Sequence, residues 1–134
     1  MSVSFFRTIV LMSWLTLVIT LLHAILSPPD LPPLLAEYEA QTQQTALTAL
    51  DWVIGFLSIA GLAASVSLLT FSNIGRWVYA VSMPTVYLLG FFGTDFFVSS
   101  SAQDALFAVE GMLTGIILSL CFFSDVSQNF TRSA

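Results

Sequence analysis

The chain has 134 residues, 57% hydrophobic and only 8% charged, which suits one domain and leaves too little charge to cover a water-soluble surface. A formal charge of −5 with three basic residues gives no footprint for nucleic acid. The single cysteine, Cys121, and single histidine exclude an internal disulfide and give no ligand set for a metal, so neither metal nor cofactor is expected. A mean hydropathy of +0.91 makes lipid the solvent that so much apolar surface requires.

Phe5 to Leu26 is the first apolar run long enough for a helix to cross roughly 30 Å of hydrocarbon. Arg7 gives it a basic start, but the run exceeds the roughly 7–15 apolar residues of a signal core, and an uncleaved span is expected. His23 lies near its outer end. Ser27-Pro28-Pro29 ends the helix, since proline cannot continue one. The loop from Ser27 to Ala49 is the one sizeable connection. Its proline run is stiff, and Leu34 to Leu47, free of Gly and Pro, reads as a short external helical segment with Leu34, Leu35 and Tyr38 on one face.

Thr48-x-x-Asp51 fits a capping box opening the second span, Leu50 to Phe71. Gly61-x-x-x-Ser65 within it is a small-residue pair that would let another helix approach closely. Ser72-Asn73-Ile74-Gly75 reads as a tight polar break. The third span follows, Trp77 to Phe97, with Pro84 expected to kink it and Gly90 and Gly93 loosening its outer half. Asp95 falls near its end.

Ser101-x-x-Asp104 is a second capping box, ahead of the fourth span, Ala105 to Phe123. Gly111-x-x-x-Gly115 is its small-residue pair, expected to pack within the chain. In the polar tail from Ser124 to Ala134, Val126 and Phe130 are spaced for one helical face, and the Asn129-Phe130-Thr131 sequon is read as chance. Trp52, Trp77 and Tyr79 suit the interfacial belt, while Trp14 and Tyr87 suit the interior.

The expected fold is therefore all-α, a four-helix transmembrane bundle forming a single domain. Arg7, Arg76 and Arg132 all fall on one side of such a chain, and the positive-inside rule makes that side cytoplasmic, with both termini in.

Glu110 is the one charged residue well inside a span, about 7 Å below the outer boundary. A carboxyl there is a functional-site candidate that should face the interior. His23 at similar depth is its expected partner, with Asp51 and Asp95 extending a polar cluster; the plainer alternative is one structural interhelical hydrogen bond. No Ser/His/Asp constellation, phosphate-binding glycine loop or carboxylate pair can be assembled, so no enzyme is expected and no residue is read as catalytic.

Gly75-Arg76-Trp77-x-Tyr79 and Phe122-Phe123-Ser124 resemble patterns in small four-span bacterial inner-membrane proteins of uncharacterised function. The resemblance implies the same fold and a bacterial inner membrane, and carries no activity. In size and span count the chain also resembles small multidrug transporters. Those keep their essential glutamate in the first helix, which has none here. The leading expectation is a non-enzymatic accessory, scaffold or assembly subunit acting through helix packing. The alternative is a small oligomeric transporter or proton-coupled conductor using Glu110 and His23. The partners expected are the bilayer and either another membrane protein or further copies of the chain.

Overall fold

The computed structural model describes residues 3–26, 33, 37, 49–92 and 101–132. These form helices α1 (Val3–Leu26), α2 (Ala49–Leu68), α3 (Asn73–Phe92), α4 (Ser101–Phe123) and the short α5 (Ser127–Arg132). The external segment after α1 lies outside the described residues, apart from Pro33 and Glu37, both exposed.

Side-chain polarity is reversed relative to a water-soluble protein. Large apolar residues such as Leu15, Leu22, Trp52, Phe56, Val81, Phe107 and Met112 face outward, while Thr16, Thr20, Ser65, Ser82, Glu110 and Thr114 are buried. Water would penalise so extensive an exposed apolar surface, whereas hydrocarbon solvates it and leaves polar groups to seek partners inside. Helices α1, α2 and α4 are each long and apolar enough to cross a membrane.

The third expected span does not meet that standard over its described residues. Asn73, Arg76, four hydroxyl residues and Pro84 dilute the apolar content of α3, and residues 93–97 lie outside the described part. Pro84 is accommodated inside the helix. Beside it the Ser82 hydroxyl donates to the Val78 carbonyl at 2.7 Å and Thr85 to Val81 at 2.6 Å. Such back-bonding goes with helix bending.

The helices associate as two close pairs, α2 with α3 and α1 with α4. The first pair is closely packed at Gly61. A Cβ there would meet the Met83 sulfur at 2.6 Å and the Ser82 hydroxyl at 3.0 Å, so the bare backbone leaves room for these side chains, and Met83 would have to shift to admit a Cβ. Gly111 and Gly115 differ from expectation, because a Cβ on either would meet nothing within 4 Å. They do not serve close packing within the described chain. They lie off the inward stripe of α4, which runs through Glu110, Thr114, Ile117 and Cys121.

The α2–α3 break also departs from expectation, falling at residues 69–72, with Asn73 to Gly75 forming the first turn of α3. Ser72 caps that turn, its Oγ accepting from the Gly75 amide at 3.2 Å. Helix α2 ends in a Schellman motif, with Ser72 N–H donating to the Ser67 carbonyl (3.2 Å) and Phe71 N–H to Leu68 (3.0 Å). The motif needs a left-handed residue, usually glycine, yet Phe71 occupies it at φ 57°.

Phe71 is held there by its ring. It packs on Phe6 (5.7 Å between centroids) and Phe130 (5.2 Å), and the Arg7 guanidinium lies 5.5 Å from its centroid. The left-handed conformation disfavours any side chain by roughly 1–2 kcal/mol. Phe71→Ala would lose the ring and keep that strain, whereas Phe71→Gly loses the ring and relieves it. We expect the glycine variant to be the more stable by about 1 kcal/mol, despite having the smaller residue. Thermal unfolding of the two in the same detergent checks the order.

All three arginines fall at this end. Arg7 donates to the Leu69 carbonyl at 3.2 Å and Arg76 to the Cys121 carbonyl at 3.4 Å, so each meets carbonyls at the C-terminal end of a neighbouring helix. A cation is favourable there against the helix dipole. Arg76 also donates to Asn73 Oδ1 (2.7 Å) and lies 5.0–5.9 Å from the ring centroids of Trp77, Phe122 and Phe130. Arg132 belongs to α5, whose Phe130, with Val126 in the preceding turn, is buried in the core at this end.

Candidate functional site

Glu110 occupies the one position in α4 where a carboxyl enters the interior, and it is only 8% exposed. It lines a cavity with residues from all four long helices. Ser13, Trp14 and Leu17 come from α1, Gly61, Leu62 and Ser65 from α2, and Tyr79 and Met83 from α3. The cavity measures about 20 Å³, room for roughly one water molecule.

Each wall follows from local helix geometry. Ser13, Trp14 and Leu17 stand at i, i+1 and i+4 on α1, and Tyr79 and Met83 are one turn apart on α3. Gly61 and Ser65 are likewise one turn apart, so the small pair read as a packing motif also shapes the cavity floor. Ser65 is hydrogen-bonded twice, accepting from Trp14 Nε1 at 3.1 Å and donating to the Leu62 carbonyl at 2.7 Å. The first of these bonds ties α1 to α2. The Tyr79 hydroxyl reaches Thr114 Oγ1, one turn beyond Glu110, across a long 3.5 Å contact that joins α3 to α4.

The polar cluster expected around Glu110 is thus built from different residues. His23 does not line the cavity; it lies six residues beyond Leu17, about 9 Å farther along α1, half-buried and with contacts of its own. Asp51 is half-buried in the first turn of α2, ten residues or about 15 Å from Gly61, and also has contacts. Asp95 lies outside the described residues. Among the described residues, no three of His, Cys, Asp or Glu gather in a way that could hold a metal ion.

Tyr79, read as a belt residue, is buried at 3% exposure, and Tyr87, read as interior, is 39% exposed. The signal for Tyr79 was present, because Tyr79, Ser82 and Met83 stand at i, i+3 and i+4 and form the inward stripe of α3. For Ser13 no such signal existed. A serine inside an apolar run is commonly satisfied by a carbonyl one turn back, and nothing local tells which way it faces.

The chain matches no protein-family model, and no curated protein or solved structure is significantly similar to it.

Proposed function

We propose that the protein is a four-span subunit of a bacterial inner membrane, with both termini cytoplasmic, serving as a non-enzymatic accessory or assembly component through helix packing. The observation that carries this reading is the pairing of an extensive apolar outer surface with a half-open pocket that has room for only about 20 Å³. Such a pocket has room for about one water molecule, and the largest surface offered to other molecules is the outer face of the helices.

The four-span count is supported by α3, whose 20 residues reach about 30 Å and pair closely with α2. The orientation is supported by Arg7, Arg76 and α5 meeting at one end, which the positive-inside rule makes cytoplasmic. Reporter fusions at Gln43, Ser72, Ser100 and Ala134 test both. Cytoplasmic signal at Gln43 or Ser100 would sink the topology.

Extraction in gentle detergent should bring down a larger membrane partner in fixed stoichiometry, and Glu110→Gln should leave that association intact. The second reading, a proton-coupled conductor, is favoured by one observation, the carboxyl facing a cavity in the middle of the helices. It requires proton-coupled flux in liposomes that Glu110→Gln abolishes. Flux of that kind, without a co-purifying partner, would replace the accessory reading.

A further inference from the structure

Two polar groups on the cavity wall have no hydrogen-bond partner among the described residues. Glu110 is more than nine-tenths buried, yet no described residue donates to its carboxyl. The Ser13 hydroxyl, unlike those of Thr8, Thr16 and Thr20 on the same helix, makes no bond to the carbonyl one turn back. Both line the same cavity. The remaining hydroxyls there are partly engaged. Ser65 has used its proton on Leu62, and Tyr79 is turned toward Thr114, but each oxygen retains acceptor capacity.

A buried carboxyl left without a hydrogen bond is destabilising by several kcal/mol in an apolar medium, so native structures supply a partner. Two polar groups that line the same water-sized pocket without a direct hydrogen bond are the usual setting for a bridging water. We propose that a single structural water molecule occupies this cavity, hydrogen-bonded to the Glu110 carboxyl and the Ser13 hydroxyl, with Ser65 or Tyr79 as its third partner. The site deepens the plainer reading of Glu110, as a group that ties helices together. The water would join α1 to α4 within one close pair and, through Ser65 or Tyr79, join that pair to the other.

The chain has three glutamates, Glu37, Glu39 and Glu110, so glutamate-selective 13C labelling yields a short list of carboxyl signals. Glu110→Gln assigns the interior one. Solid-state NMR of the full chain in lipid bilayers, with magnetisation started on water protons, reads which carboxyls have water within contact. The expected result is transfer to the Glu110 carboxyl in the unmodified protein, and at least a several-fold loss of it in Ser13→Leu, whose side chain would fill the cavity. Absence of transfer to Glu110, with transfer to Glu37 and Glu39 intact, would overturn the proposal. Transfer that persists unchanged in Ser13→Leu would overturn it too, since water would then reach the carboxyl by another route. Neither result depends on whether a membrane partner co-purifies, so the water site and the accessory reading can fail separately.

Discussion

Gly75→Ala should destabilise the protein, although alanine is the better helix former. The replacement gains roughly 1 kcal/mol of helix propensity. Against this, a Cβ at Gly75 would run into the Ser67 Oγ, stand 2.9 Å from Ser67 Cβ and 3.4 Å from the Ala64 carbonyl oxygen. Ser67 cannot swing clear without cost, because its hydroxyl donates to Ala64 at 2.7 Å and its Cβ is fixed by the backbone of α2. Overpacking of this kind costs about 1–3 kcal/mol, and here it forces apart the first turn of α3 and the last turns of α2. The net expectation is a loss of up to about 2 kcal/mol once the propensity gain is subtracted. A double-mutant cycle identifies the cause. Ser67→Gly removes the obstructing atoms, so the double variant should recover most of the loss, with a coupling of about 1 kcal/mol or more. Additive effects in detergent unfolding would show that the α2–α3 approach is looser than described.

Phe130→Ala should have the larger effect. Phe130 is fully buried, with its ring 5.9 Å from Phe6 and 5.2 Å from Phe71, edge-on to both, and 5.4 Å from the Arg76 guanidinium. Truncating a buried phenylalanine typically costs about 3–5 kcal/mol where the surroundings cannot collapse. Each lost aromatic pair accounts for roughly 0.5–1.5 kcal/mol of that. Two features make collapse difficult here. Phe71 is committed to its left-handed backbone by the same ring cluster, and Arg76 is committed to Asn73 and to the Cys121 carbonyl. Helix α5 has only six residues, too few to hold together alone, so it depends on this anchor. The variant should therefore show both a lowered unfolding temperature and rapid proteolysis near Ser127. Phe130→Leu should retain much of the burial and lie between the two. Unchanged stability and protease resistance in Phe130→Ala would remove α5 from the core.

The arginines show how one observation serves two levels. In the sequence they report only topology. In the fold, Arg7 and Arg76 also close the carbonyl ends of α2 and α4 and sit against the aromatic rings that hold Phe71 and Phe130. Replacing them would change local packing as well as orientation, so a topology assay on arginine variants needs a stability control.

What the sequence alone determined was the helical content and the apolar runs, because crossing hydrocarbon demands about 20 apolar residues and that demand is written locally. Glu110 stood out for the same reason, as a charge where apolar residues belong. The spacing of Val126 and Phe130 on one side was legible too, but their burial was not, and Val126 stands in the turn before α5. Partners across helices were not legible either. Gly61 and Gly111 sit in the same small-residue pattern, yet only Gly61 receives a neighbour, because spacing names a face and not what covers it. The end of α2 was missed because glycine signals a left-handed cap, whereas here a phenylalanine is held in that conformation by rings from α1 and α5. The company of Glu110 was likewise decided by tertiary structure. Depth made His23 look near, but contact depends on which faces four helices turn inward, and those faces bring Ser13, Trp14, Ser65 and Tyr79.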